Sequence, residues 1–180
     1  MQHTKKLKML VLSAVFAALI TVSAFIRIPL PPVPFTLQAT VCILSGLLLG
    51  RKYGTISVGI YIAAGLIGLP VFTEGGGIWY VLNPTFGYII GFLAAAFIAG
   101  CIADRSKDPP YLTMILAAVA ATAVIYIFGI IYFCIVKILY FNESADLSYV
   151  LIYGIAVFAP KDVAGCIIAA VTAKKLINKV

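Results

Sequence analysis

The chain has 180 residues, of which 63% are hydrophobic and only 11% charged, against about 25% charged in a typical soluble domain. Its mean hydropathy is +1.14, and surface-to-volume scaling leaves a soluble fold of this size too little interior to hide such a surface. The composition excludes an ordinary soluble enzyme, and it turns the net charge of +7 into a question of membrane orientation rather than of nucleic-acid binding.

A helix crossing the hydrocarbon core needs about 20 residues. Six such helices with short connections use nearly the whole chain, so residues 1–180 are read as one membrane-embedded domain. The first apolar segment is 9–26, uncharged after Lys8. It could imitate a signal peptide, but the further apolar runs favour a retained helix. Arg27 then precedes Pro29, Pro31, Pro32 and Pro34, which make this stretch extended or turn-like. A short second helix is expected from near Leu37 to Gly50, followed by a tight basic turn at Arg51 and Lys52. The third segment is 53–69, ended by Pro70. Residues 71–82, with Glu74, Gly75, Gly76, Gly77 and Trp79, read as a structured loop.

Asn83-Pro84 reads as a helix start, with Asn83 as cap and Pro84 in the first turn. This fourth helix continues to about Ala103. A charged loop at 104–110 leads to a fifth helix at 111–136. Residues 137–148, with Glu143 and Asp146, are polar enough to leave the membrane. The sixth segment is 149–173, interrupted by Pro160, Lys161 and Asp162. The tail carries Lys174, Lys175 and Lys179.

Charge tests this alternation. With the N-terminus in the cytoplasm and six crossings, the inner side holds Lys5, Lys6, Lys8, Arg51, Lys52, Arg105, Lys107, Lys174, Lys175 and Lys179. These are ten of the thirteen Lys and Arg residues. Arg27, Lys137 and Lys161 fall on the outer side or outer half. This positive-inside bias predicts an all-α fold: a polytopic six-transmembrane-helix bundle with both termini cytoplasmic. Segments two and three are short. A re-entrant hairpin is the rival reading, but it buries Arg51 and Lys52 at about 2.5–3.5 kcal/mol each, so two short or tilted crossings are preferred.

Irregular backbone cannot face lipid unpaired. The proline stretch and the glycine loop fall on the same side by parity, and each carries apolar residues, among them Phe35 in one and Trp79 in the other. They read as a lid over a cavity; the alternative is simple packing on the bundle end. The glycines can wrap a ligand or form a flexible tip. No Gly-Lys-Ser or Gly-Lys-Thr follows them, so a phosphate cradle is not expected.

Lys161 and Asp162 lie in an apolar stretch, where a lone charge is expensive. Being adjacent, they diverge by about 100 degrees on a regular helix. Each then needs a partner from another helix, water or a ligand, unless Pro160 opens the backbone. The bland account is an internal ion pair or snorkelling by Lys161. Asn83 as a cap uses its oxygen and leaves its NH2 for a pocket. Tyr88, Thr36 and Gln38 offer uncharged donors and acceptors, although Tyr88 serves equally well as a packing aromatic. Arg27 is read as snorkelling to headgroups rather than binding an anion. The four cysteines have no metal or redox spacing and are read as buried hydrophobes. The one histidine, His3, sits in the polar N-terminus, so no metal site is expected. Small residues four apart (Ala14 and Ala18, Gly46 and Gly50, Gly87 and Gly91, Ala95 and Ala99) permit close helix packing. Most of these faces are expected to bury within the chain, leaving one or two for a partner.

The stretch from Arg27 to Gln38 (RIPLPPVPFTLQ) closely resembles the BioY family, the biotin-specific S components of energy-coupling factor (ECF) transporters. The resemblance continues through GLIGLPVF at 65–72, the glycine run, and NPTFGYIIGF at 83–92, and more weakly around Pro160 and Asp162. It implies the six-helix fold and a biotin cavity near the outer face, roofed by the two loops. Phe35, Thr36, Gln38, Trp79, Asn83, Tyr88, Lys161 and Asp162 are the expected ligand contacts. It implies that Ala14 and Ala18 dock onto the transmembrane coupling (T) subunit, and that the whole subunit topples in the membrane during transport. No cofactor is expected on this chain; ATP is expected to be used by two partner ABC-type ATPases. One departure stands out: Lys161 occupies a position where the family has glycine, and Gly165 one where it has lysine. The competing readings are an S component for another vitamin such as thiamin or riboflavin, a non-transporting structural or assembly protein, and an intramembrane enzyme dependent on Asp162.

Overall fold

The computed structural model describes residues 2–30, 33–141 and 152–177. The expectations for Pro31, Pro32, Glu143, Asp146 and Lys179 lie outside the described residues. Five helices dominate: α1 (Gln2–Phe25), α2 (Gln38–Leu66), α3 (Phe86–Ala103), α4 (Tyr111–Leu139) and α5 (Ala159–Leu176). The first four are long and apolar enough to cross a membrane.

In α1, Ser13, Phe16, Ala17, Ile20, Ser23 and Ala24 are buried, the three-to-four spacing of one helix face. The opposite face exposes Leu10, Val11, Val15, Leu19 and Val22, together with Ala14 and Ala18. Such a face is stable where lipid or another apolar surface replaces water.

The expected reversal near Arg51 is found inside α2. Gly50 breaks the helix with φ 75° and ψ 176°, a left-handed φ that glycine adopts without Cβ strain. The arms, 38–49 and 51–66, fold back on each other. A Cβ placed on Gly54 would lie 2.7 Å from the Gly46 Cα, although eight residues along one straight helix span about 12 Å. The turn rests on the end of α3, where Asp104 accepts from the Arg51 amide at 3.1 Å.

α3 is the central helix, with Ala95, Ala96 and Ala99 fully buried. It packs on α2 and α4, while α5 closes the bundle against α2 and α4. The small residues are spent inside the chain. Gly46 lies on the Ala96 backbone, Gly91 on Ile125, and Gly100 on Gly50 and Arg51.

Several helix boundaries differ from expectation. The second arm of α2 ends at Leu66, before Gly68 with its φ of 107°, and does not run on to Pro70. α3 begins at Phe86, because the backbone from Asn83 to Phe86 closes a turn first: the Phe86 amide bonds the Asn83 carbonyl at 2.9 Å. α4 runs beyond Val136 to Leu139. The final helix is not interrupted at Pro160; it begins at Ala159. Proline suits a helix's first turn, where its missing N–H has no intrahelical acceptor. A π-helical turn, Ile152–Ala156, precedes it.

The fold is also not wholly helical. Two short strands, β1 (Arg27–Ile28) and β2 (Phe35–Thr36), pair antiparallel around the proline stretch, with Arg27 opposite Thr36. The glycine loop is a closed turn: Phe72 and Gly75 exchange backbone hydrogen bonds, and the Gly77 amide bonds the Gly65 carbonyl at 2.7 Å. Both irregular segments share the end of the bundle where α1 finishes and α5 begins. The basic elements gather at the other end. There Lys174 pairs with Asp108, and Ser13 of α1 bonds the Tyr53 carbonyl beside the Gly50 turn at 3.0 Å.

A Cβ on Gly100 would meet the Arg51 N at 2.3 Å and Cα at 2.4 Å. Gly100→Ala is therefore expected to destabilise the chain by about 1–3 kcal/mol through overpacking. Gly59 has nothing within 4 Å of its Cβ position, so Gly59→Ala should be neutral or stabilising by up to about 1 kcal/mol. Thermal unfolding of the two variants in detergent checks the contrast; equal midpoints would remove the turn–α3 contact as a packing constraint.

Candidate functional site

Beneath the two irregular segments is a cavity that is partly open to the outside. Its lining comes from the two irregular segments, the first arm of α2, and α3, α4 and α5. The proline stretch and the start of α2 supply Val33, Pro34, Thr36, Gln38 and Ala39, and the glycine loop supplies Thr73 and Tyr80. Tyr88, Ile89 and Phe92 come from α3, just after Thr85. Ile125 and Tyr126 come from α4, and Lys161 and Asp162 from α5, just after Phe158.

Asp162 is only 7% exposed. It sits in the first turn of α5, where the helix dipole favours a negative charge. Its Oδ2 accepts from the Tyr126 hydroxyl at 2.5 Å. Its Oδ1 lies 2.6 Å from the Lys161 ammonium, yet this oxygen is buried and accepts no hydrogen bond. The contact is ionic rather than a directed hydrogen bond. The adjacent pair thus meets after all. The expected divergence holds for side chains radiating from a helix, but here a long lysine side chain in the first turn folds back to the carboxylate. Lys161 Nζ also donates to the Thr36 carbonyl at 2.9 Å and stands 5.0 Å from the Phe35 ring centre and 5.7 Å from that of Phe158.

A second polar chain runs along the α2 wall. The Thr36 hydroxyl donates to Gln38 Oε1 at 3.2 Å, and Gln38 Nε2 donates to the Tyr61 hydroxyl at 2.7 Å. On the roof, the Thr73 and Tyr80 hydroxyls share a hydrogen bond of 3.0 Å. The exposed Arg27 guanidinium donates to the Thr73 carbonyl. Since Arg27 pairs with Thr36 across the strands, this bond ties one roof segment to the other.

Of the eight expected ligand contacts, the fold brings Thr36, Gln38, Tyr88, Lys161 and Asp162 together on the cavity wall. Phe35 lies one layer back, its ring 5.9 Å from that of Phe158. Trp79 is 80% exposed, because the short 3-10 helix Ile78–Leu82 turns Tyr80 inward and Trp79 away. Asn83 is also off the wall. Its oxygen accepts from the Thr85 amide at 2.9 Å and hydroxyl at 2.7 Å, which closes a turn ahead of the helix; the expected cap role is not found, because Thr85 is the residue that precedes α3. The Asn83 NH2 is not free; it donates to Glu74 Oε2 at 2.8 Å. The glycine run stays out of the cavity as well. It lets Phe72 plug the loop, with its ring where a Gly65 side chain would stand and 4.6 Å from that of Tyr80.

Sequence reasoning missed Tyr126, Tyr80, Thr73 and Phe158. Tyr126 carried a usable signal, since a phenol in the middle of an apolar helix needs a hydrogen-bond partner.

The family model of the BioY family matches residues 1–180. The chain belongs to the BioY family. It is 44% identical over 167 residues to a probable biotin transporter BioY of Lysinibacillus sphaericus, covering 93% of this chain and 85% of that one. It is 41% identical over 125 residues to the biotin transporter BioY of Thermotoga maritima, covering 69% and 73%. The fold matches the crystal structure of the S-component for biotin from an ECF-type ABC transporter with a TM-score of 0.86 at 33% identity, covering 99% of this chain and 95% of that one. A Cβ at Gly165 would lie 2.3 Å from Thr40 Oγ1, so α5 packs closely on α2 there. Lys161 precedes Gly165 by four residues and lines the cavity.

Asn83→Ala removes the turn acceptor and is expected to cost about 1 kcal/mol, as loss of a helix cap does. Asn83→Asp keeps that acceptor but sets a carboxylate against Glu74. Thermal unfolding in detergent checks both; an unaltered midpoint for Asn83→Ala would remove the turn from the account of how α3 starts.

Proposed function

We propose that the chain binds biotin in the roofed cavity and acts as the substrate-specific S component of an ECF importer. The observation that carries this reading is the buried carboxylate of Asp162, held by Tyr126 and Lys161, in the lining of the cavity. The ureido ring of biotin offers N–H donors to such an acceptor. Its valeryl chain suits walls such as Ile89, Phe92, Ile125 and Phe158. Membership of the BioY family and the likeness to a solved biotin S-component support the choice of ligand. On this reading Thr36, Gln38, Tyr88, Lys161 and Asp162 touch the ligand. Phe35 acts by backing Phe158 and Lys161, Asn83 acts through the roof, and Trp79 lies at the membrane interface.

The same proposal places the chain, as a single domain, in the prokaryotic cytoplasmic membrane with six crossings, the two arms of α2 counting separately, and with both termini cytoplasmic. The gathering of basic residues at the end opposite the cavity supports that orientation. Ligand then enters from outside. Ala14 and Ala18, on the exposed face of α1, form the docking contact for the T subunit, since small residues let helices approach closely in lipid. Two partner ATPases supply the energy, and this chain performs no covalent chemistry on its cargo.

Binding of labelled biotin to the purified chain, competed by unlabelled biotin, thiamin and riboflavin, tests the reading. Only biotin should compete; preference for either rival removes the assignment. Asp162→Asn should weaken binding at least about tenfold, because a hydrogen bond to a charged acceptor is worth about 1.5–3 kcal/mol. Ala14→Trp should leave the Kd unchanged while reducing ATP-dependent uptake with the partner subunits; if binding falls as well, the substitution has damaged the fold and α1 loses its docking role.

A further inference from the structure

A second recess lies behind the contact between Tyr126 and Asp162. It is a crevice between α4 and α5 that opens sideways from the bundle. Thr122, Ala123 and Tyr126 line it from α4, and Ala159, Asp162 and Cys166 from α5. Tyr126 stands at the middle of α4, a helix of 29 residues, so the crevice opens at the depth of the hydrocarbon core. Its polar groups are engaged within the chain. The Thr122 hydroxyl donates to the Ala118 carbonyl at 3.0 Å, and Cys166 Sγ lies 3.2 Å from the same oxygen. The Tyr126 hydroxyl donates to Asp162 Oδ2, and Oδ1 is buried against the Lys161 ammonium. A water entering the crevice finds no accessible partner, and an apolar recess of this kind stays dry.

We propose that this crevice is a binding site for one acyl chain of a membrane phospholipid. Shape and chemistry together choose that occupant. The walls combine Val119 and Val163, bulky and exposed, with Ala123 and Ala159, whose short side chains create the gap. A neighbouring helix packs closely in lipid only where small residues let its backbone approach. At about 10–12 Å across with its side chains, it would rest on the valines and leave the gap empty. A polymethylene chain is thin enough to enter, asks for no hydrogen bond, and gains dispersion contacts that an empty crevice forfeits. The crevice is continuous with the roofed cavity, because Tyr126 and Asp162 line both. One hydrogen-bonded pair of side chains therefore separates the cavity from the bilayer. The acyl chain backs that pair and keeps water from it, and low-dielectric surroundings strengthen the hydrogen bond. The lipid completes a wall that the protein alone leaves thin, whatever the cavity holds.

The test places the purified chain in vesicles of phosphatidylcholine and phosphatidylglycerol. A small fraction of the phosphatidylcholine carries a diazirine midway along one acyl chain. After illumination, lipid adducts are located by peptide mass spectrometry in the native chain, Ala123→Phe, Ala123→Leu and Val15→Phe. Ala123 and Val15 are both exposed, so each added side chain has room. In the native chain, adducts should concentrate at residues 119–126 and 159–166, above the level on the exposed face of α1. Ala123→Phe and the smaller Ala123→Leu should remove most of them by filling the crevice, although Tyr126 and Asp162 remain there to react. Val15→Phe adds bulk on α1 and should leave them unchanged. Adducts spread evenly over α1, α4 and α5 in the native chain would mean ordinary solvation by lipid and overturn the proposal. So would crevice adducts that survive both fillings. A crevice left unlabelled in a chain that migrates as a dimer would overturn it too, by assigning the crevice to a second copy. No biotin is present, so failure of the ligand reading and failure of the lipid site are separate results.

Discussion

An ionised carboxylate inside a bundle of apolar helices costs several kcal/mol unless it is paired and hydrogen-bonded. The cavity is organised around meeting that need at Asp162. α5 begins at Ala159, with Pro160 in its first turn, so that Asp162 lies at the positive end of the helix dipole. Tyr126 reaches across from α4 to one oxygen, and Lys161 brings a counter-charge to the other. The need is left incompletely met, because Oδ1 still lacks a hydrogen bond.

The roof obeys a related constraint. Backbone without helix or sheet partners cannot lie against lipid, and both roof segments find partners. The proline stretch pairs β1 with β2, and the glycine loop closes on itself and on Gly65. Phe72 anchors the loop in an aromatic cluster, its ring 5.4 Å from Tyr61, 4.6 Å from Tyr80 and 6.4 Å from Phe86. Arg27 then joins the two segments through Thr73. The lid is thus a tied structure, and Lys161 fastens it to the wall that carries the acceptor.

Close helix packing gives this site its rigidity. Glycine and alanine let the α2 arms, α3 and α4 meet backbone to backbone, as small residues do where lipid offers no hydrophobic drive for association. Tyr88 shows the consequence at the cavity: its ring lies where a side chain on Gly129 would be, so α4 sets the position of a wall residue on α3. By contrast, α1 contributes nothing to the cavity lining and keeps a broad apolar face exposed. The cavity and the exposed apolar face of α1 therefore lie on different parts of the fold.

Local chemistry made much of this legible in the residues themselves. Hydropathy marked the membrane helices, proline and glycine marked both roof segments, and the pair Arg51-Lys52 marked the reversal beside Gly50, because each signal is carried by residues close in the chain. Thr36, Gln38, Tyr88, Lys161 and Asp162 stood out as polar groups in apolar surroundings, and the fold gathers them on one wall. What only the tertiary structure decided was who meets whom. Asn83 looked poised to reach a pocket, yet Glu74 takes its amide; Trp79 looked like a lid residue, yet one helical turn sends it outward. Tyr126 finds Asp162 across 36 residues, and the ammonium of Lys161 finds Thr36 across 125. Such pairings depend on how helices and loops are set against one another, and no periodicity or spacing along the chain encodes that arrangement.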